Sequence, residues 1–437
     1  TFMLKSSKIY KGINGKVEIP GDKSISHRSI IIPSISNGVS EISNILKSED
    51  VLNTMNAFKL MGVKIEEKKD KIIIYGQGLN SLNQPTKDIY LGNSGTSARL
   101  LIGLLASQNF ISNISGDSSL SSRPMGRIMD PLNLMGAKIE SNDKKLPICI
   151  RGQELKPINY TVPVPSAQVK SGLMLAALNT KGVSKFIEKD ITRNHTEIML
   201  ESFGANIDIK EENKRKHISI IGKKELTSKN IQVPSDLSSS AFFIVACLIN
   251  ENSKLFLKNI NINPSRDGIL RALKKMCAKI DITNQRFINN EVVADLNIQS
   301  SKLEGVELDK EMSKLMIDEY PILSIAACFA NSPSIFRGLK ELTIKESNRL
   351  ELIYLNLIKC GVKCEVKDDD LFIYPNKEYV VKDSKIITKF DHRIAMAFCV
   401  MGSLLNKNLE ISESECIKTS FPNFFKSFNS IGGNLIE

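Results

Sequence analysis

The chain has 437 residues, 42% apolar and 24% charged, with a net charge of +11. That length suits two or three domains with full cores, and the composition excludes a disordered or low-complexity chain. No apolar run approaches the roughly 18 residues that span a bilayer, and no block of about five or six Lys or Arg marks a nucleic-acid tail.

The N-terminal stretch TFMLKSSKIYKG lacks the continuous apolar core of a secretory signal and does not read as a transit peptide, so the expected location is the cytoplasm. Thr1-Phe2 ahead of Met3 reads as a cloning remnant. The first informative element is PGDKSISHRSIII at Pro20–Ile32, which follows a short strand at Lys16–Ile19. It reads as strand, Gly turn and helix start, with Ser24 or Ser26 as the expected N-cap. Backbone N–H groups at such an end, with Lys23 and Arg28 beside them, suit an anion. Taken alone, they suit solvated surface equally.

The same grammar recurs along the chain. Strands and polar turns at Asp88, Tyr160, Asn230, Lys314 and Lys385 lead into ARLLIGLLA, SGLMLAAL, AFFIVACLI, ILSIAACFA and IAMAFCVMGSLL. A helix apolar on every face is expected to be buried. A second phrase is written six times: LMGVKIE, LMGAKIE, SFGANID, KMCAKID, KCGVKCE and SIGGNLI. Each reads as a helix closed by a left-handed residue and followed by a half-buried strand, with Cys277 where the other copies have Gly. Each unit is therefore strand, buried helix, strand, outer helix, strand pair, and the expected class is α+β. Six units suggest two domains of three, Gly21–Ser235 and residues 1–20 plus 236–437, with crossovers near Pro20-Gly21 and Pro234-Ser235. The N-terminal strands Ser7–Ile19 are expected to complete the sixth unit, which ends at Glu437 without its last strand.

The eight cysteines, Cys149, Cys247, Cys277, Cys328, Cys360, Cys364, Cys399 and Cys416, sit in apolar segments and read mostly as buried reduced thiols. Cys360 and Cys364 are four apart without a second Cys/His pair at zinc spacing, so no metal is expected.

If the buried helices run parallel, their starts pool the polar turns, and in a two-domain molecule a cleft is the expected place for them. One half offers Lys23, Ser24, Arg28, Asn93, Gly95, Thr96, Ser166, Gln168 and Lys170; the other offers Asp236, Asp318, Glu319, Asp391, His392 and Arg393. SRPM at Ser122, RNHTE at Arg193 and KESNR at Lys345 lie nearby. Arg and Lys suit phosphate and carboxylate, and a few carboxylates among them suit proton transfer. A nucleophile elbow, a Cys with a nearby base and a Walker loop are all missing. The pool points to multiply anionic small molecules handled without metal or cofactor.

Together PGDKSISHR, LGNSGTSARL, SRPMGR, PSAQVKSG, TRNHTE, IDEYP, KESNRL and FDHRIAMAF resemble the 5-enolpyruvylshikimate 3-phosphate (EPSP) synthase family, with SAQVK and RNHTE similar to its second bacterial class. The resemblance implies two domains of three βαβαββ units, an inside-out α/β barrel. It implies transfer of the enolpyruvyl group of phosphoenolpyruvate to the 5-hydroxyl of shikimate 3-phosphate, with loss of phosphate. By resemblance Lys23, Ser24, Arg28, Ser166, Gln168, Arg193, Asp318 and Lys345 bind shikimate 3-phosphate. Lys23, Gly95, Arg123, Gln168, Arg349 and Arg393 bind phosphoenolpyruvate. Asp318 is the expected base, Glu346 the proton shuttle at the enol carbon, and Lys23 a further catalytic group. The resemblance implies no cofactor, no nucleic-acid or membrane partner, and a monomer that closes on shikimate 3-phosphate.

The sequence departs from the family at Ala167, where many members have Ser, at Asn194, where Asp is usual, and at Lys418, shifted by one residue. Structural roles compete at several positions. Arg123 before Pro124 suits a turn, Asp318 an N-cap, and Glu346 an i,i+3 pair with Arg349, whereas His27, His195 and His392 read as packed. Two rival activities predict other features. A UDP-N-acetylglucosamine enolpyruvyl transferase carries a loop Cys, which Ile114–Arg123 lacks. A nucleic-acid scaffold shows exposed aromatics on a basic face, and this chain has no Trp.

Overall fold

The computed structural model describes residues 3–437; Thr1 and Phe2, read above as a cloning remnant, lie outside the described residues. The six apolar stretches form helices at Lys23–Ser34, Gly95–Ala106, Ala167–Leu178, Leu237–Ile249, Tyr320–Cys328 and His392–Met401. They are sealed almost everywhere except at their starts. Outside the buried set stand Lys23, Ser24, Thr96, Ala167, Gln168, Ser239 and Arg393, all in the opening turns, with Arg99 one turn in and Ile249 at an end. Apolar residues all round force burial, so only the first turn is left for polar work. Among the described residues, no helix is long and apolar enough to cross a membrane.

The chain divides into two compact units. One holds Gly21–Pro234 with Ile288–Glu291; the other holds the chain up to Pro20, Ser235–Phe287 and Val292–Glu437. The repeat-based division differs at Ser235 and at Ile288–Glu291, the turn joining strands Lys279–Ile288 and Glu291–Gln299. Each unit has its own apolar core.

Within the Gly21–Pro234 unit the Gly95–Ala106 and Ala167–Leu178 helices run parallel. Gln168 Nε2 donates to Thr96 Oγ1 at 2.9 Å at two helix starts, and Asn179 Nδ2 donates to the Ser107 carbonyl at 2.9 Å at the matching ends. Gly103 and Gly172 make this close crossing possible. A Cβ on Gly103 would be driven into the Gly172 carbonyl, and one on Gly172 would lie 2.6 Å from the Arg99 carbonyl oxygen. In the other unit the helix starts also meet, through Ser238 Oγ and Glu319 Oε1 at 3.1 Å.

Among the described residues there are six four-stranded sheets. Each pairs a short edge strand in parallel with a second strand and then continues antiparallel. The Gly21–Pro234 unit shows this at Ile231–Gln232 against Asn37–Ser43, which pairs with Lys71–Gln77. Two expectations are corrected here. The sixth sheet is completed by Leu4–Ser6, inserted antiparallel between Leu409–Ile411 and Leu435–Ile436, not by Ser7–Ile19. The strand before the first helix is Asn14–Lys16 and pairs with Lys254–Asn261, while Ile231–Gln232, before the fourth helix, edges the first sheet. The chain crosses between units after each of these strands, so each strand stays with the unit the chain is leaving.

The N-caps also differ at the first helix. Asp22, not Ser24 or Ser26, accepts the Ile25 N–H at 2.8 Å; Ser26 Oγ instead accepts the Leu46 N–H at 3.0 Å. Ser94, Ser166, Asp236 and Asp391 cap in the same way.

The repeated helix-closing phrase takes the left-handed conformation in every copy, with φ of +87° at Gly62, +91° at Gly136, +81° at Gly204, +86° at Gly361 and +116° at Gly432. Cys277 takes it too, at φ +66°, although it carries a Cβ. Its side chain is exposed, so nothing packed is lost on truncation. We expect Cys277→Gly to raise stability by about 0.5–1 kcal/mol, the left-handed strain less the extra unfolded-state freedom of Gly. Urea unfolding midpoints would measure it, and a lower midpoint for the variant would contradict the reading.

Candidate active site

In the Gly21–Pro234 unit the polar starts of three buried helices are tied together by side chains. Lys23, at the first helical position, pairs with Asp50 at 2.5 Å. Arg28, one turn further in, is buried; its Nε donates to Thr196 Oγ1 at 2.6 Å, its Nη2 to Ser171 Oγ at 2.9 Å and its Nη1 to the Ser24 carbonyl at 3.0 Å. Burial pushes the Arg28 guanidinium down to about 10, with Arg193 acting the same way and Asp22, Glu197 and Glu291 opposing, so it still holds its charge at neutral pH.

Gly95 opens the second helix. Arg99, one turn on, donates Nη1 to Gln168 Oε1 at 2.8 Å and Nη2 to the Pro124 carbonyl at 3.2 Å. A Cβ at Gly95 would stand 2.7 Å from Arg99 Nη1 and 2.9 Å from Arg123 Nη1, so only Gly leaves both guanidinium groups where they are. Arg123 is buried at the C-cap of the short Ser118–Ser122 helix and donates Nη2 to the Asn93 carbonyl and, at 2.7 Å, to Asn93 Oδ1. It therefore ends a turn and joins the cluster at once. Ser166 caps its helix at the Val169 N–H, 3.3 Å away, and Arg193 lies half-buried with its carbonyl 2.8 Å from Lys170 Nζ. Lys170, pooled with the polar turns from sequence, is fully buried among Glu188, Glu197 and Lys216.

In the other unit Arg349 is the hub. It is 1% exposed and holds three carboxylates: Asp391 from Nε at 2.8 Å, Glu346 from Nη2 at 2.6 Å and Asp318 from Nη1 at 3.3 Å. Burial alone would lower its pKa, but Asp391, Glu346 and Asp318 outweigh it and the net shift is upward. Lys345 Nζ stands 3.5 Å from Asp318. Asp391 also accepts Ser347 Oγ at 2.8 Å and the Arg393 N–H at 3.0 Å. Asp318, Lys345 and Glu346, singled out from sequence, are thus gathered around Arg349, and Asp391 links Arg349 to the backbone of Arg393. Asp318 lies in a short 3-10 turn and does not cap the helix, whereas Glu346 does make its i,i+3 pair. His27, His195 and His392 are buried, and Lys418 is exposed on a 3-10 turn.

Sequence reasoning gave no individual role to Arg99, Asp50, Ser171 or Thr196, although Arg99, Ser171 and Thr196 stand inside LGNSGTSARL, PSAQVKSG and TRNHTE. Arg99 had a signal: it follows Gly95 by one turn on the same face. Ser171 and Thr196 had their motifs as a signal, whereas Asp50 approaches from a distant segment and had none.

His27 supplies a pH test. It is buried, with Nδ1 2.9 Å from Thr54 Oγ1 and 3.2 Å from Ser97 Oγ. Burial first, then Lys23 and Arg28, lowers its pKa well below the ordinary 6.5. The unfolded chain therefore takes up a proton near pH 6.5 that the folded chain refuses, so this contribution is present above pH 6.5 and lost as pH falls. We expect up to about 2 kcal/mol of lost stability from this group between pH 7 and pH 5, and a shallower slope in His27→Gln. Urea midpoints at the two pH values would measure both; equal slopes would assign the effect elsewhere.

The profile of EPSP synthase (3-phosphoshikimate 1-carboxyvinyltransferase) matches residues 8–428. Curated proteins named 3-phosphoshikimate 1-carboxyvinyltransferase are similar over nearly their whole length. That of Vesicomyosocius okutanii is 46% identical over 422 residues, 96% of each chain. That of Paramagnetospirillum magneticum is 42% identical over 434 residues, 98% of this chain and 97% of the relative. A solved EPSP synthase structure from Acinetobacter baumannii superposes with a TM-score of 0.88 at 40% identity, covering 100% of this chain and 99% of that one. With a family profile spanning both repeat sets and relatives this similar from end to end, the chain belongs to the EPSP synthase family.

Proposed function

We propose that the residues of the two clusters divide the family's reaction between them. The reaction is transfer of the enolpyruvyl group of phosphoenolpyruvate to the 5-hydroxyl of shikimate 3-phosphate, releasing phosphate, on the route to chorismate and the aromatic amino acids. Lys23, Ser24, Arg28, Ser166, Gln168, Arg193, Asp318 and Lys345 hold shikimate 3-phosphate. Lys23, Gly95, Arg123, Gln168, Arg349 and Arg393 hold phosphoenolpyruvate. Asp318 takes the proton from the attacking 5-hydroxyl, Glu346 carries a proton to and from the methylene carbon, and Lys23 touches both substrates. Phosphate then leaves from the tetrahedral adduct. The chain acts as a cytoplasmic monomer.

The observation that carries this reading is the Arg349 hub. One buried guanidinium fixes Asp318 and Glu346, and Lys345 stands beside Asp318. Fixed carboxylates with cations alongside are what stepwise protonation and deprotonation of anionic substrates require. Asp318→Asn and Glu346→Gln keep shape and acceptor atoms but cannot exchange the proton. Each is expected to lower kcat by about 10²–10⁴-fold, read as phosphate released with both substrates present. A kcat within threefold of the parent, threefold being roughly 0.65 kcal/mol, would remove that residue from the mechanism.

Gly95 gives a second test. Because a methyl group there meets Arg99 Nη1 and Arg123 Nη1 at 2.7 and 2.9 Å, Gly95→Ala must displace guanidinium groups. We expect the KM for phosphoenolpyruvate to rise roughly tenfold, with the KM for shikimate 3-phosphate little changed. Equal rises for both substrates would speak against the assignment of Gly95 and Arg123 to phosphoenolpyruvate.

A further inference from the structure

Behind Arg28 and Arg193 lies a group of four charges that the proposed chemistry does not use. The side chains of Lys170, Glu188, Glu197 and Lys216 are 0, 2, 1 and 5% exposed. Lys170 Nζ stands 3.1 Å from Glu188 Oε2 and 3.0 Å from Glu197 Oε2; Lys216 Nζ stands 3.3 Å from Glu197 Oε2 and 4.0 Å from Glu188 Oε2. Burial would raise the Glu197 pKa, yet Lys170 and Lys216 more than offset it and keep the carboxylate charged. Two ammonium groups and two carboxylates cancel in charge. Buried ion pairs in general add little stability over apolar side chains of the same volume, so a role beyond stability is worth seeking for the cluster.

Its geometry supplies one. Lys170 spends its third bond on the Arg193 carbonyl, at 2.8 Å. Glu188 Oε1 accepts the Thr192 hydroxyl immediately before Arg193. Glu197 lies in the first turn of the His195–Ser202 helix, next to Thr196. The Thr196 hydroxyl meets Arg28 Nε at 2.6 Å and Ser171 Oγ at 2.7 Å, and Ser171 takes Arg28 Nη2. Thr192, the Arg193 backbone, Thr196 and Glu197 are thus pinned one after another. The pins lead back to Lys170 and its neighbours on a single buried helix, and the same helix locates Arg28.

We propose that Lys170 is a positioning residue for shikimate 3-phosphate: its ammonium, locked by Glu188 and Glu197, sets the Thr192–Glu197 segment so that Arg193 and Arg28 present their guanidinium groups at a fixed separation. The proposal rests on the reading that Arg28 and Arg193 hold that substrate. Arms fixed before binding lose little freedom on binding, which is where such a support acts.

The test uses full-length Lys170→Met, Lys170→Met/Glu197→Gln, Lys170→Arg and Arg193→Ala, with steady-state kinetics in each substrate and circular dichroism for the fold. The double variant leaves Lys216 and Glu188 as one balanced pair and is expected to stay folded. Its KM for shikimate 3-phosphate should rise roughly tenfold while that for phosphoenolpyruvate changes less than about twofold. Lys170→Arg, which keeps the charge but moves the donor, should show the same split more weakly. Adding Arg193→Ala to the double variant should cost no more than Arg193→Ala alone, because both remove one function. If Arg193→Ala is impaired and the folded double variant is not, the positioning role is overturned. Equal rises in both KM values would indicate general loosening and overturn it too. If Arg193→Ala itself leaves shikimate 3-phosphate binding unchanged, the underlying assignment of Arg193 fails, and the proposal falls with it.

Discussion

A helix without a polar face has one stable location, the interior. Six such helices set the architecture of this chain, and across five of them most of the residues left outside the buried set lie in the opening turns, while Tyr320–Cys328 is buried throughout. The functional residues are therefore not scattered over loops of arbitrary length. Lys23, Gly95, Gln168, Asp318 and Arg393 stand within a few residues of the buried helix starts, which meet within each unit, and Arg123, Arg193, Lys345, Glu346 and Arg349 come from segments beside other helices. The Gly103–Gly172 crossing shows how closely the rods approach. A methyl group at either position would push two backbones apart and shift the turns they carry.

Bare helix ends attract anions, but these ends are not bare. Asp22, Asp236 and Asp391 place carboxylates on three of the six, and Ser94 and Ser166 occupy two more. On the proposed reading, the attraction for acidic substrates accordingly resides in guanidinium and ammonium side chains rather than in the capped helix ends. Asp391 shows the arrangement most fully. It caps its own helix and holds the buried Arg349, and Arg349 in turn holds the two carboxylates assigned to proton transfer. One carboxylate thereby links a local helix-capping requirement to the orientation of the chemical groups.

The repeat, the buried helices and the α+β class were legible because periodicity and left-handed closures are local properties. Gly62 or Gly136 needs only its own backbone to be read. Strand exchange was not legible. Asn14–Lys16 and Ile231–Gln232 differ from neighbouring segments only in which distant strand receives their hydrogen bonds, and that depends on where the chain crosses between units. The Asp22 cap was misread because serines following it are equally good acceptors on propensity alone. In the site, the residues to which the motifs give a role were found, whereas Arg99, Ser171 and Thr196 stand in the same motifs without one and Asp50 lies outside them. Their partners lie tens of residues or more away in sequence, and pairwise contact at that range leaves no trace in a single chain. Lys170 was read as facing a ligand for a related reason: a lysine beside Gln168 looks the same whether its ammonium turns outward or into Glu188 and Glu197.

The Leu4–Ser6 strand has a bearing on how the protein is made. It lies in the middle of its sheet, flanked by Leu409–Ile411 and Leu435–Ile436. As the chain emerges from a ribosome, Leu4–Ser6 must wait for Leu409–Ile411 and Leu435–Ile436, more than four hundred residues later, before their sheet can close. The Gly21–Pro234 stretch can complete its three sheets long before that, since its edge strand Ile231–Gln232 comes from within it. Translation thus imposes an order in which the three sheets of the Gly21–Pro234 stretch can mature first, and the sheet around Leu4–Ser6 closes only after Leu409–Ile411 and Leu435–Ile436 have emerged.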